Sequence, residues 1–186
     1  MNRISQFLGT GPRLLLAMAV LAVISLGGCF LLVQKAADRN VSSQAEELSL
    51  DWAGFIAARL PSLERIASGG AITATELSFL NDVTTFGKVF RFKLFSADGK
   101  LRLPSDDLVT GTALLGESLG EHNAKAAGVV ATGVPVTQLG DGRAKPDRPD
   151  VYVESYVPVF RDGTRVAIAE VYVDQTATSA AIRSEF

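Results

Sequence analysis

The chain holds one cysteine, one histidine and no run of lysine or arginine among its 186 residues. One cysteine excludes a disulfide within the chain, so a folded region must be held by its core alone. One histidine does not supply the several ligands that a metal site needs. A formal charge of −2 without a basic run excludes the electrostatic footprint of a nucleic-acid partner. No nucleophile elbow, zinc-binding histidine pair or phosphate loop occurs. Gly140-Asp141-Gly142 lacks a following helix and reads as a turn. These absences point away from an enzyme and from any cofactor. What is present, 17 glycines, seven prolines and 47 % hydrophobic residues, fits a folded domain rather than a disordered tail.

The longest apolar run is Leu14 to Val33, twenty positions without a charge. At about 1.5 Å per residue such a helix covers about 30 Å, the hydrocarbon thickness of a bilayer. Arg3 and Arg13 make the preceding flank positive, which predicts a cytoplasmic N-terminus at residues 1–13 and a chain that lies outside after Val33. In a Gram-negative cell that is the periplasm, with the helix in the inner membrane. Without Arg3 and Arg13 the 18 basic side chains fall to 16 against 20 acidic ones, so the outer part is acidic. Two rival readings remain. A cleaved signal peptide has a shorter apolar core and a small-residue cleavage site, whereas here Phe30-Leu31-Leu32-Val33 follows Gly27-Gly28. A lipoprotein is suggested by Leu26-Gly27-Gly28-Cys29, although four apolar residues rather than polar ones follow the cysteine.

Beyond the membrane segment, residues 34–70 read as a helical stalk. Val41, Ala45, Leu48, Trp52 and Phe55 step by four and three, the spacing of one helical seam. That seam suits a second chain or a sheet face. Pro61 interrupts it, and Ser68-Gly69-Gly70 stops the turn that resumes after it. Thr73-Ala74-Thr75-Glu76 matches a capping box and predicts a short helix through Leu80. Val89 to Phe95 alternates by twos, and Ala97-Asp98-Gly99-Lys100 turns it into Leu101-Arg102-Leu103, a hairpin. Ser118-Leu119-Gly120-Glu121 is a second capping box, whose helix Gly128 can close. Val129–Thr132 and Val134–Thr137 predict an edge strand, since Pro135 cannot donate to a ladder. Val151–Phe160 and Arg165–Asp174, joined around Asp162-Gly163, are a long hairpin, and Thr176–Phe186 reads as a helix. The fold class is therefore α+β. An antiparallel sheet of about five strands spans residues 71–175, covered by the N-terminal helices, with a helix at 176–186 leading out.

This order resembles an extracytoplasmic PAS-like, or Cache, sensor domain. The stretches FRFKLFSADGK, PSDDL, GEHNAKAAGVVATG, DVYVESYVPVFRDG and AEVYVDQTA are similar to sensor regions that precede GGDEF and EAL domains in alphaproteobacterial cyclic-di-GMP proteins. The resemblance covers Asp51 to Phe186. It implies transmembrane signalling as the function. Such proteins usually continue into a second membrane helix and cytoplasmic enzymatic domains. This chain contains no GGDEF or EAL string, so no catalytic residue carries over. A sensor-only product and a fragment are both compatible with that.

Candidate binding residues lie on strands. Tyr152, Glu154 and Tyr156 share one face by the two-residue period. If the Asp162-Gly163 turn sets an even loop, Tyr156 lies opposite Ala169 and Glu154 opposite Val171. Small Ala167 and Ala169 beside two tyrosines then leave a pocket with polar tips. Arg91 and Lys93 share a face and suit a carboxylate or phosphate. The same pattern also fits the solvated face of a half-exposed sheet. His122 reads as a surface or capping histidine, and Ser105-Asp106-Asp107 can bind a cation or start a turn, the turn or cap being the commoner use of such a cluster. The expected partners are the lipid bilayer, a small-molecule ligand of unknown identity, and a second copy or a full-length relative. The expected function is a membrane-anchored sensor. A ligand-independent interaction module and a lipoprotein with a binding role are the alternatives.

Overall fold

A computed structural model describes residues 11–85, 88–106 and 116–184. Arg3, Asp107 and Phe186 lie outside them. Helix α1 spans Gly11–Arg59 and contributes to two units, Met1–Arg39 and Asn40–Phe186. In the first unit Leu15, Val23, Leu32 and their apolar neighbours are exposed. Among the described residues this is the helix long and apolar enough to cross a membrane, a property a signal sequence shares.

In the second unit the remaining elements run α2 (Leu63–Ala67), α3 (Ala74–Thr85), β1 (Val89–Ser96), β2 (Leu101–Pro104), α4 (Leu119–His122), α5 (Ala127–Thr132), β3 (Val136–Asp141), β4 (Val151–Arg161), β5 (Thr164–Asp174) and α6 (Thr176–Ser184). The strands form one antiparallel sheet in the order β2-β1-β5-β4-β3. Alternation divides its side chains between two faces. Phe92, Leu94, Val153, Val157, Ala167, Ala169, Val171 and Val173 form one core with α1, α2 and α3. Trp52 of α1 meets Phe92 there, with ring centroids 5.0 Å apart. The other face carries a smaller core of Phe95, Leu101, Leu119, Ala126, Val129, Tyr156 and Ile168.

The buried stripe of α1 is Val41, Ala45, Ser49, Trp52, Ala53 and Ile56, continued by Leu60 just past its end. It follows the natural period of about 3.6 residues per turn rather than the heptad-like seam expected from the sequence. Ile56 is fully buried in consequence, and Phe55 is 46 % exposed. Burying a side chain such as Ile56 contributes about 1.5–3 kcal/mol. The helix stops before Pro61, and Arg161 at the end of β4 donates to the carbonyls of Ala57 (2.6 Å), Leu60 (2.8 Å) and Pro61 (2.9 Å). Ala57 lies in the last turn of α1, where carbonyls lack an onward helical partner, and the Leu60 carbonyl also accepts from the Leu63 N–H at 3.0 Å.

Thr73 and Glu76 form the expected box: the Thr73 N–H donates to Glu76 Oε2 at 2.8 Å, and the Glu76 N–H to Thr73 Oγ1 at 3.4 Å. The helix continues past Leu80 to Thr85, because Val83 reaches the core on the same face.

Between β2 and β3 the expectation needs correction. Gly128 lies inside α5, and Gly133, at φ 66°, supplies the left-handed closure. Val129–Thr132 is therefore helix, and the edge strand begins at Val136. That strand extends through Gly140 and Asp141, which are not a turn. Gly140 pairs with Tyr152, whose ring occupies the space a Cβ would fill.

Candidate functional site

The last hairpin turns through Asp162 (φ 49°) and Gly163 (φ 76°), both left-handed, as a type I′ turn requires. Next to it Arg161 pairs with Thr164 and Phe160 with Arg165, but Val159 pairs with Ala167. Val166 is thus an extra residue in β5, a β-bulge. It displaces every later pair by one position. Tyr156 lies opposite Glu170 and Glu154 opposite Tyr172, while Ala169 faces Val157. The even loop is present as expected, but the bulge beyond it overturns the expected pairing of Tyr156 with Ala169 and Glu154 with Val171: Ala167 and Ala169 belong to the core on the helix side, and Glu170 and Tyr172 take their place among the tyrosines.

On this second face the strands bring polar groups into two cross-strand rows. Lys93, Glu170 and Tyr156 form one, and Arg91, Tyr172 and Glu154 the other. Glu170 is fully buried. Lys93 Nζ lies 3.3 Å from its Oε2, Tyr156 donates to its Oε1 at 3.2 Å, and the Tyr172 hydroxyl donates to the same oxygen. Tyr156 also donates to Glu154, which accepts from Asn123 Nδ2 at 3.3 Å. Arg148 donates to the Tyr152 hydroxyl at 2.6 Å and lies 5.1 Å and 5.6 Å from the centroids of Tyr152 and Tyr172. Phe90 packs against both tyrosine rings.

A cover formed by residues 117–132 lies over part of this face. Ser118 and Glu121 close a capping box, in which the Glu121 N–H donates to Ser118 Oγ at 3.2 Å and Glu121 Oε2 accepts from the Ser118 N–H at 3.0 Å. The box starts the single turn that ends in His122. Leu119, Ala126 and Val129 bury the apolar side of the cover against Phe95, Tyr156 and Ile168. His122 is therefore not a surface or capping residue. Its Nε2 lies 3.0 Å from Glu170 Oε2, and its side chain is 21 % exposed.

The electrostatics follow from burial and pairing. The hydrogen bond to Glu170 raises the His122 pKa above its ordinary value, outweighing burial, which acts in the opposite sense. Burial raises the Glu170 carboxyl, but His122 and Lys93 favour its charged form more strongly and hold its pKa below the usual range. Burial, and then the charge of Glu170, push the hydroxyls of Tyr156 and Tyr172 far up, so both remain donors.

Arg91, Lys93, Tyr152, Glu154 and Tyr156 are thus gathered on one face, and Ala169 is on the other. The basic pair already meets carboxylates of the chain itself. Lys93 meets Glu170, and Arg91 meets Asp106 (Nε to Oδ2, 2.9 Å) and Asp147 (NH2 to Oδ2, 3.2 Å). Sequence reasoning missed Glu170, Tyr172, His122, Asn123 and Arg148. One signal was available: Glu170 is the single charge within Val166–Val173, an otherwise apolar run apart from the Tyr172 hydroxyl. Among the described residues no group of three or more His, Cys, Asp or Glu side chains is arranged to hold a metal ion.

Cavities among the described residues also lie away from this cluster. One, of about 350 Å³, is lined by Asp141, Arg143, Thr176 and Ser179; another, of about 410 Å³, is an apolar groove of Trp52, Phe55, Phe79 and Val83. No family model matches the chain, and no curated protein matches it.

Proposed function

We propose that this chain is a membrane-anchored, non-enzymatic sensor domain, lying outside the cytoplasm, whose polar sheet face receives a small-molecule signal for a transmembrane signalling protein of the cyclic-di-GMP type. The observation that carries this reading is the fully buried Glu170 among Tyr156, Tyr172, Lys93 and His122. An apolar core of the same volume would often be at least as stable as a buried ion pair. Clusters of perturbed ionisable groups of this kind concentrate at functional sites. The long N-terminal apolar helix and five-stranded antiparallel sheet agree with the PAS-like resemblance, and Arg3 and Arg13 favour an N-terminus inside the cell.

The chemistry of the site suggests its ligand class. An ammonium or hydroxyl group can take the places of Lys93, His122 and Asn123 at Glu170 and Glu154. An acidic group can replace Asp106 and Asp147 at Arg91. A small molecule bearing both would displace the cover and shift the equilibrium between two arrangements by its differential affinity for them. Thermal-shift screening of the detergent-solubilised chain against small acids, amines and amino acids tests this. A stabilising ligand is expected to lose its effect in Glu154→Gln and Arg91→Ala. A ligand indifferent to both substitutions would place the site elsewhere. Self-association with no ligand response would favour the interaction module.

A further inference from the structure

His122 Nε2 lies 3.0 Å from Glu170 Oε2 and 2.9 Å from Lys93 Nζ, and His122 Nδ1 lies 3.5 Å from Glu117 Oε2. These contacts cannot all be satisfied in one protonation state, because an ammonium only donates and each ring nitrogen either donates or accepts. With both nitrogens protonated, Nε2–H donates to Glu170 and Nδ1–H faces Glu117, while Lys93 directs its donors to Glu170 and Tyr172. In the neutral ring the ammonium beside Nε2 selects the tautomer with its proton on Nδ1. Nε2 then accepts from Lys93 and presents no donor to Glu170. The proton decides whether α4 is held by β5 or by β1.

The surrounding charges favour the proton. Among the described residues Lys93 faces the ring from β1, with Arg91 beyond it, and Glu170 and Tyr172 face it from β5. Glu154 and Tyr156 complete the network from β4, and Glu117 comes from the cover itself. Glu121 is engaged in the Ser118 cap. At the ring, Glu117 and Glu170 therefore stand against the single ammonium of Lys93. A proton on His122 offsets part of that excess.

We infer that His122 and Glu170 form a proton-binding latch, which ties the 117–132 cover to β5 when His122 is protonated and releases that tie when it is neutral. The cover has further attachments, Asn123 to Glu154 and Tyr156 among them. Arg165 donates to the carbonyls of Val129 (3.1 Å) and Val130 (2.6 Å), and an arginine does not titrate in this range. The Leu119 N–H donates to the Gly99 carbonyl at 2.7 Å, so the α5 end and the start of α4 stay fixed while the His122 end of α4 loosens. Because folding raises the His122 pKa, the tie is complete below the ordinary histidine value of about 6.5 and is lost as pH rises through the higher folded value. The latch goes beyond the small-molecule reading and needs no ligand.

The chain has a single histidine, so its Cε1–H resonance in the detergent-solubilised protein is unambiguous. Its NMR titration midpoint is expected above that of an ordinary histidine and is expected to fall in Glu170→Gln. Hydrogen exchange, corrected for intrinsic rates, is expected to show Glu121–Ala126 losing protection above that midpoint in the wild type and not in His122→Gln. A wild-type midpoint at or below the ordinary value overturns the latch even if neither variant folds. An equal pH response in His122→Gln overturns it too. A failed ligand screen with both pH results intact would reject the small-molecule reading and leave the latch standing.

Discussion

Val159 pairs with Ala167 although its neighbour Phe160 pairs with Arg165, and the residue left over, Val166, sets the chemistry of both sheet faces. Deleting Val166 would send Glu170 and Tyr172 toward the helices and Ala169 toward Tyr156. Uncoupling a buried ion pair alone removes about 3–5 kcal/mol, a large part of the roughly 5–15 kcal/mol that holds a domain. The deletion is expected to abolish cooperative melting followed by near-UV circular dichroism. A wild-type melt would show that the register is set elsewhere.

Gly163→Val tests the turn. Nothing lies within 4 Å of the position a Cβ would take at Gly163, so the substitution acts through the positive φ alone. A loss of about 1–3 kcal/mol in denaturant unfolding is expected, the scale of forced backbone strain. Unchanged stability would contradict the left-handed geometry.

Lys93→Met removes one of the two cations at Glu170, and the remaining one titrates. With His122 protonated the carboxylate keeps a cationic partner; with His122 neutral it keeps only the Tyr156 and Tyr172 hydroxyls. Stability lost on substitution is expected to approach about 3–5 kcal/mol above the His122 pKa and to be smaller below it. Chemical denaturation at pH 5.5 and 8.5 reads the difference. Equal losses at both would mean that His122 does not share the charge.

Glu76 carries an acid-sensitive contact. Its bond to Arg65, 2.5 Å from NH2 to Oε1, and further bonds from Ser62 and Thr73 lower its pKa from 4.5 to about 2. A depressed carboxyl stabilises the fold above its unfolded pKa, and the contribution disappears as pH falls toward about 2. Glu76→Gln is expected to lower the melting temperature at pH 7 and to have little effect at pH 2. An equal shift at both pH values would place its role in packing rather than charge.

Alkaline phosphatase fused after Phe186 tests the orientation proposed for the anchor. Activity there, with a cytoplasmic-only reporter silent at the same point, is expected from Arg3 and Arg13. The reverse pattern rejects the topology. Unchanged mass and membrane retention of Cys29→Ser would reject the lipoprotein alternative.

Features whose physics acts over a few residues were legible in the chain itself. The uncharged run Leu14–Val33, the box at Ser118 and Glu121, the turn at Asp162-Gly163 and the alternation of the two hairpins each depend on neighbours in sequence. They were enough to define an α+β chain with five antiparallel strands, and to show that Arg91 and Lys93 share a face of their strand and Tyr152, Glu154 and Tyr156 a face of theirs. Even there the helical stripe escaped by one residue, because packing on the sheet follows the natural helical period and selects Ile56 over Phe55.

The composition of the site was decided by tertiary structure. Strand periodicity is two, so one added residue exchanges the faces, and no local rule places that residue at Val166. Packing of Ala167, Ala169, Val171 and Val173 against the helices selects the register, and Glu170 is carried to the opposite side. His122 meets it from 48 positions away. That encounter depends on the closure of the cover over the sheet, and a pair separated by so much chain leaves no periodic trace in the residues between.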